Sequence, residues 1–172
     1  MTKRLTCGMV GGDLNSFIGN VHRSALQLDP RVKLVSGCFS RHEDKNNACG
    51  EMFGIEPERL FTDWREMARA EAARGEGKID FVSVCTPNHI HYEVCREFLL
   101  AGINVVCEKP LCLEVAQAEE LCALARERSL VFAVTYTYTG YNMVKVMRQM
   151  VARGDIGDIV SVNAEYVQDW LL

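Results

Sequence analysis

No apolar run in this 172-residue chain approaches the roughly 20 residues that cross a bilayer. Basic residues form no block either: 19 Lys and Arg stand against 23 Asp and Glu, a net charge of −4. That balance argues against a nucleic-acid or anionic-membrane surface. The N-terminus, Met1-Thr2-Lys3-Arg4, leads straight into a strand-like run without a signal-peptide core and cleavage site. A cytoplasmic protein is expected. There are eight cysteines but no C-x-x-C pair, which discounts a zinc ribbon or thioredoxin-type site, and no metal centre is expected. Internal repeats and low-complexity segments are absent too.

What is present is an alternation. Hydrophobic residues make up 48% of the chain, enough for a substantial core. Leu5–Val10, Val32–Phe39, Phe81–Cys85, Ile103–Cys107 and Leu130–Val134 read as strands. Apart from polar breaks in the first two, they are nearly continuous in apolar residues, as strands covered on both faces should be. Cys7, Cys38, Cys85 and Cys107 fall within them and read as small buried hydrophobes, reduced in the cytoplasm. Helical spacing fills the gaps: Phe17, Val21, Ala25 and Leu28; Ile90, Val94 and Phe98; Ala118, Leu121, Cys122 and Ala125. Strand, helix, strand at this rhythm predicts an α/β fold, a doubly wound parallel sheet with helices on both faces.

Boundary signals agree. Ser40-x-x-Glu43 and Asp63-x-x-Glu66 have capping-box spacing, Asn88 is placed to cap the helix beginning near His89, and Gly102 and Gly154 sit where helices should end. Ala70–Lys78 reads as a helix end and loop. The tail differs in character. Val160, Val162, Ala164 and Tyr166 alternate with Ser161, Asn163 and Glu165, a period of two that marks a strand with one wet face. We read residues 1–140 as one domain. Residues 141–172 read as a linking helix and the first strand of a second α/β domain that is expected to continue beyond Leu172.

Three motifs follow strands and so share the edge where open α/β sheets bind ligands. The first is the loop from Gly11 and Gly12 through Ser16, Phe17 and Ile18 to Gly19, between a strand and a helix. Small residues there let the backbone approach a pyrophosphate, and the helix N-terminus supplies N–H donors. The spacing is about three residues longer than G-x-G-x-x-G. An ordinary glycine turn would look the same. The second strand ends at Ser40-Arg41-His42, where an NAD site usually places an acid. Arg41 can pair with a 2′-phosphate, which inclines the choice between NAD and NADP toward NADP. Ser40 is equally suited to capping. The second motif, Thr86-Pro87-Asn88-His89-Ile90-His91, offers a fixed turn and amide groups. Two histidines at i and i+2 do not share a helix face, so a helix-start surface role is expected of them. The third is Glu108-Lys109-Pro110. A lysine at this edge can donate to a substrate oxygen and stabilise a developing alkoxide, with Glu108 orienting it. A surface ion pair before a turn is the plain alternative.

The set formed by the long glycine loop with His22, Thr86-Pro87-Asn88-His89-x-His91 and Glu108-Lys109-Pro110-Leu111 resembles the glucose-fructose oxidoreductase/inositol dehydrogenase/MocA family. Tyr138-Thr139-Gly140-Tyr141, Glu165-Tyr166 and Asp169-Trp170 are similar to its long-loop branch, and the resemblance covers nearly the whole chain. It implies a Rossmann domain followed by a C-terminal α/β domain on a large open sheet, and an NAD(P)-dependent oxidoreductase acting on sugars, cyclitols or related polyols. It implies that Lys109 sits near nicotinamide and substrate as the catalytic residue. It further implies that Gly11–Gly19, Ser40, Arg41, Thr86, Pro87, Asn88, His91 and Glu108 line the cofactor. The family's acid/base histidine belongs to the C-terminal domain and has no counterpart here. Its full-length members commonly form homo-oligomers through the C-terminal sheet. A non-catalytic NAD(P)-binding sensor is the competing reading, and Lys109 argues against it, because a sensor needs no substrate-facing lysine.

Overall fold

The computed structural model of the chain describes residues 4–169. Its strands are β1 (Leu5–Gly11), β2 (Val32–Cys38), β3 (Phe81–Cys85), β4 (Asn104–Cys107) and β5 (Phe132–Val134). They form one sheet in the order β2-β1-β3-β4-β5, with every neighbouring pair parallel. Parallel neighbours need crossovers. These are made by α1 (Phe17–Gln27), α2 (Glu43–Phe53), α3 (Trp64–Ala73), α4 (His91–Leu100) and α5 (Val115–Glu127). The fold is the expected Rossmann-type α/β sheet. After β1 the chain steps to β2 on one side, and later to β3 on the other. That reversal opens the crevice outside the carboxyl ends of β1 and β3.

The pleat sorts the core. Val82 and Val84 of β3 join Met67 of α3, Val94, Phe98 and Leu99 of α4, and Leu121 and Ala125 of α5. Met9 of β1 points the other way, into a second cluster with Phe39, Cys49 and Ile55, against which Leu26 and Phe53 pack. Cys7, Cys38, Cys85 and Cys107 are buried free thiols, as their strand positions implied.

Several local expectations changed. In α1 the stripe Phe17, Val21, Ala25, Leu28 faces outward, with Phe17 84% and Leu28 86% exposed. The buried positions are Gly19 and Arg23. Backbone contact with the glycine loop, described below, sets this rotation and overrides the apolar spacing. Strand β5 begins at Phe132 rather than Leu130, because the Val131 N–H donates to Asn104 Oδ1 at 2.8 Å instead of to a ladder carbonyl. Ser40 does not cap α2; its hydroxyl accepts from the His42 N–H at 3.1 Å. Asp63 does cap α3, accepting from Arg65 N. Asn88 opens a single 3₁₀ turn, Asn88–Ile90, and α4 starts at His91 without a side-chain cap.

Up to Thr135 the chain forms one compact unit, and from Tyr136 onward another. In the second, a 3₁₀ turn over Thr137–Gly140 precedes α6 (Asn142–Arg153), which ends at Gly154 with φ 75°. The Tyr138 ring lies 5.5 Å from that of Tyr141 and 5.6 Å from that of Tyr166, whose hydroxyl it meets. The strand expected over residues 160–166 does not form: the segment carries no regular structure, and its residues are exposed. A strand draws its hydrogen bonds from a partner ladder, and among the described residues none supplies one. Trp170 lies outside the described residues.

Candidate functional site

All strands run one way, so the segments following β1, β2, β3 and β4 emerge at one edge. The glycine loop begins there with Gly11 and Gly12, both left-handed at φ 76° and 75°. Gly11 pairs with Cys85, and a Cβ on it would stand 2.6 Å from the Cys85 carbonyl oxygen. A Cβ on Gly12 would stand 3.0 Å from Gly19 Cα, and one on Gly19 would collide with the Gly12 backbone. Two turns of chain thus touch without side chains between them. Arg23, one turn further along α1, locks the approach by donating to the Gly12 carbonyl, while its guanidinium lies 4.3 Å over the Phe53 ring. Ser16 caps α1 by accepting from Gly19 N at 3.0 Å. The remaining first-turn N–H groups, those of Phe17 and Ile18, have no acceptor within the helix.

Beyond β2, the buried Asn46 side chain accepts from Phe39 N at 2.9 Å and from Ser40 N at 3.3 Å, fixing the turn. Ser40 and Arg41 then line a cleft of about 610 Å³, together with Gly11, Thr86, Pro87 and His89. Its size suits a small-molecule site. Sequence reasoning missed the cleft's third wall, Asp63-Trp64-Arg65, where the Arg65 guanidinium lies 3.8 Å over the Trp64 ring and bonds Glu93 at 3.0 Å. Nothing local in the sequence marks that wall: the preceding residues are drawn against β2 by the Gly37–Leu60 bridge, and Asn46 Nδ2 donates to the Phe61 carbonyl at 2.9 Å.

After β3, Thr86 Oγ1 is buried and has no hydrogen-bond partner among the described residues. Buried hydroxyls are rarely left so. The glycine cradle and this orphaned hydroxyl fit a dinucleotide. Pro87 and Asn88 are exposed beside it. His91 is a correction: it is neither a surface residue nor part of the cleft lining. It is fully buried, with Nδ1 2.7 Å from the Pro110 carbonyl and Nε2 2.8 Å from the Thr86 carbonyl. Burial opposes charge on the ring, but bonding to the Cys107 sulfur and to those carbonyls outweighs it, and the pKa is raised to about 9.

After β4, Glu108 is only 6% exposed and its carboxylate points into the protein. Oε1 meets His22 Nε2 at 3.0 Å and accepts from Thr135 Oγ1 at 2.6 Å; Oε2 accepts from Lys109 N at 2.9 Å. Burial pushes this carboxyl up, yet the bonds from Thr135, His22 and Lys109 prevail and hold it below the ordinary carboxylate range. His22 closes the network through Nδ1, 2.7 Å from Ser83 Oγ. Glu108 therefore supports the backbone that presents Lys109. The Lys109 side chain is exposed at the edge, and the Lys109–Pro110 bond is cis. Ser83 and Thr135 are site-supporting residues that sequence reasoning missed; each sits in or beside a buried strand with nothing in its spacing to mark it. Among the described residues no group of His, Cys, Asp and Glu is placed to hold a metal ion.

Comparison with known proteins agrees with this geometry. Residues 5–136 match the family described as oxidoreductase family, NAD-binding Rossmann fold. An uncharacterized oxidoreductase of Bacillus subtilis is 38% identical over 96% of the chain and 42% of its own length. The D-glucoside 3-dehydrogenase of Escherichia coli is 38% identical over 84% of the chain and 38% of its length. An inositol dehydrogenase homolog from Azotobacter vinelandii, solved in complex with NAD+, superposes with a TM-score of 0.86 at 39% identity, covering 92% of the chain and 41% of that one. The chain thus spans less than half the length of these relatives. A glycine cradle, an orphaned hydroxyl and a lysine on one edge of a parallel sheet, with this match over most of the chain, make it a member of the Gfo/Idh/MocA oxidoreductase family, carrying its NAD-binding Rossmann domain.

Proposed function

We propose that the chain is the cofactor-binding part of an enzyme that moves hydride between a nicotinamide dinucleotide and a CH–OH group of a sugar, cyclitol or related polyol. The observation that carries this reading is that the glycine cradle and the exposed Lys109 lie on the same carboxyl edge, one on each side of Thr86. The substrate class rests on the relatives: one is a D-glucoside 3-dehydrogenase, another an inositol dehydrogenase homolog.

In this reading Gly11, Gly12 and Gly19 admit the pyrophosphate, and the N–H groups of Phe17 and Ile18 bond to it. Thr86 Oγ1 gains its missing partner, and Pro87 and Asn88 border the same space. When bound, nicotinamide supplies the hydride acceptor or donor. Lys109 holds the substrate oxygen through Nζ and stabilises negative charge there as the hydroxyl proton leaves. Glu108, fixed by His22 and Thr135, keeps the Lys109 backbone in place. The group that takes the proton, and assembly into homo-oligomers, are assigned to the second domain.

Arg41 decides the cofactor in this reading. It borders the cleft where an NAD site usually carries an acid, and it pairs with the 2′-phosphate of NADP. Calorimetric titration of the chain with NADP+ and NAD+ tests this. Arg41→Ala should weaken NADP+ binding by about 1.5–3 kcal/mol and NAD+ binding far less. Equal losses would count against the NADP preference, and no binding of either nucleotide would remove the cofactor reading.

A further inference from the structure

His91 stands between the two loops that carry the site. One ring nitrogen lies 2.7 Å from the Pro110 carbonyl oxygen, and the other 2.8 Å from that of Thr86. Carbonyl oxygens only accept. A neutral imidazole has one N–H and one lone pair, so in either tautomer one of these contacts would set lone pair against lone pair. Turning the ring over does not help, because both partners are acceptors. The ring is fully buried, and water cannot relieve the conflict. An imidazolium, with two N–H groups, satisfies both contacts.

The surroundings permit that charge. Cys107 of β4 faces the ring, and the neighbouring Cys95 thiol together with burial keeps Cys107 far above the ordinary thiol range, so it is neutral. The Glu108 carboxylate, next in sequence, is turned to His22, Thr135 and its own chain. The charge on His91 is therefore held by the Cys107 sulfur and two backbone dipoles, with no carboxylate turned toward the ring.

We infer that His91 is a doubly protonated positioning residue that ties the Thr86 and Pro110 carbonyls together and so sets the spacing between Thr86 Oγ1 and Lys109. The link to cofactor binding rests on the nucleotide reading above, whereas the protonation state of the ring does not. No sequence pattern marks this role. The histidine is 5 residues from one carbonyl and 19 from the other, and the two loops come from neighbouring parallel strands.

Nitrogen-15 NMR of the histidine rings in the whole chain tests the inference. At pH 7.5 both His91 nitrogens should carry protons, because each faces a carbonyl oxygen that can only accept. As His91 is deprotonated at higher pH, the carbonyl carbon-13 signals of Thr86 and Pro110 should move with it. A single protonated ring nitrogen at pH 7.5, or carbonyl signals that ignore the ring's titration, would overturn the inference. His91→Gln, whose one amide nitrogen cannot reach both carbonyls, should lower NADPH affinity about tenfold or more, as expected for losing one charge-assisted bond. Unchanged affinity in a folded variant would remove the positioning role. If the variant does not fold, the wild-type titration alone decides. A wild-type chain that binds no nucleotide would instead defeat the cofactor reading and leave the ring measurement to stand or fall by itself.

Discussion

His22 of α1 and Glu108 at the end of β4 are 86 residues apart and meet at 3.0 Å in the interior. The pair joins the helix that follows the glycine loop to the segment that presents Lys109. His22→Ala should destabilise the chain by roughly 1.5–3 kcal/mol, since it strips a hydrogen bond from a buried carboxylate. Urea unfolding measures this. Removing the exposed Arg153–Asp155 pair, 2.7 Å apart on the surface, should change little. Equal effects from both would mean that the buried network carries no special weight.

Gly19→Ala should abolish dinucleotide binding before it abolishes folding. Its Cβ meets the Gly12 backbone, so α1 must retreat from the loop that approaches the phosphates. A forced shift of this kind costs about 1–3 kcal/mol. Gly77→Ala is the control, because the nearest atom to a Cβ there is 4.0 Å away. Calorimetric binding and thermal unfolding of both variants provide the comparison. Wild-type affinity in the Gly19 variant would rule out the cradle.

Stability should fall as pH rises above neutrality, in two stages. The His91 pKa is raised in the folded state to about 9, so its contribution is complete below the unfolded value near 6.5 and is lost as pH climbs through about 9. The expected loss is roughly 1–3 kcal/mol. Burial also pushes the thiols of Cys7, Cys38 and Cys85 up to about 12. Their contribution is lost only above the unfolded thiol value of about 8.5. Denaturant unfolding between about pH 6 and 7.5 stays clear of the thiols, and His91→Gln should flatten that part of the curve. A wild-type curve already flat there would contradict the charged ring.

The chain should bind dinucleotide without turning over a polyol. Lys109 is exposed at the open edge, where water competes with a substrate for its amine. Lacking a general base typically costs about 10²–10⁴ in rate, and lost substrate orientation adds to that. Incubation with NADP+ or NAD+ and a panel of sugars and cyclitols, followed by absorbance of the reduced cofactor, checks it. Robust turnover would place the proton-transfer group within these residues.

The order of strands and helices, and the edge on which the motifs gather, were determined locally. Nearly continuous apolar runs such as Phe81–Cys85, broken only by Ser83, suit strands covered on both faces, and glycines beside some of them mark where the chain turns. From those two facts follow the parallel sheet and the placement of Gly11, Ser40, Thr86 and Lys109 at its carboxyl ends. Tertiary packing decided the rest. The apolar spacing of Phe17, Val21 and Leu28 pointed to a core face, but backbone contact between Gly12 and Gly19 turned that stripe outward. The alternation over residues 160–166 had the period of a strand and no ladder to join. His91 and Glu108 read as edge residues because they flank the motifs in sequence. Both are buried, because polar side chains there must satisfy backbone groups and one another once the loops close over them. Their partners, Pro110 and Thr86 for one and His22 and Thr135 for the other, come together only when separate strands and helices pack.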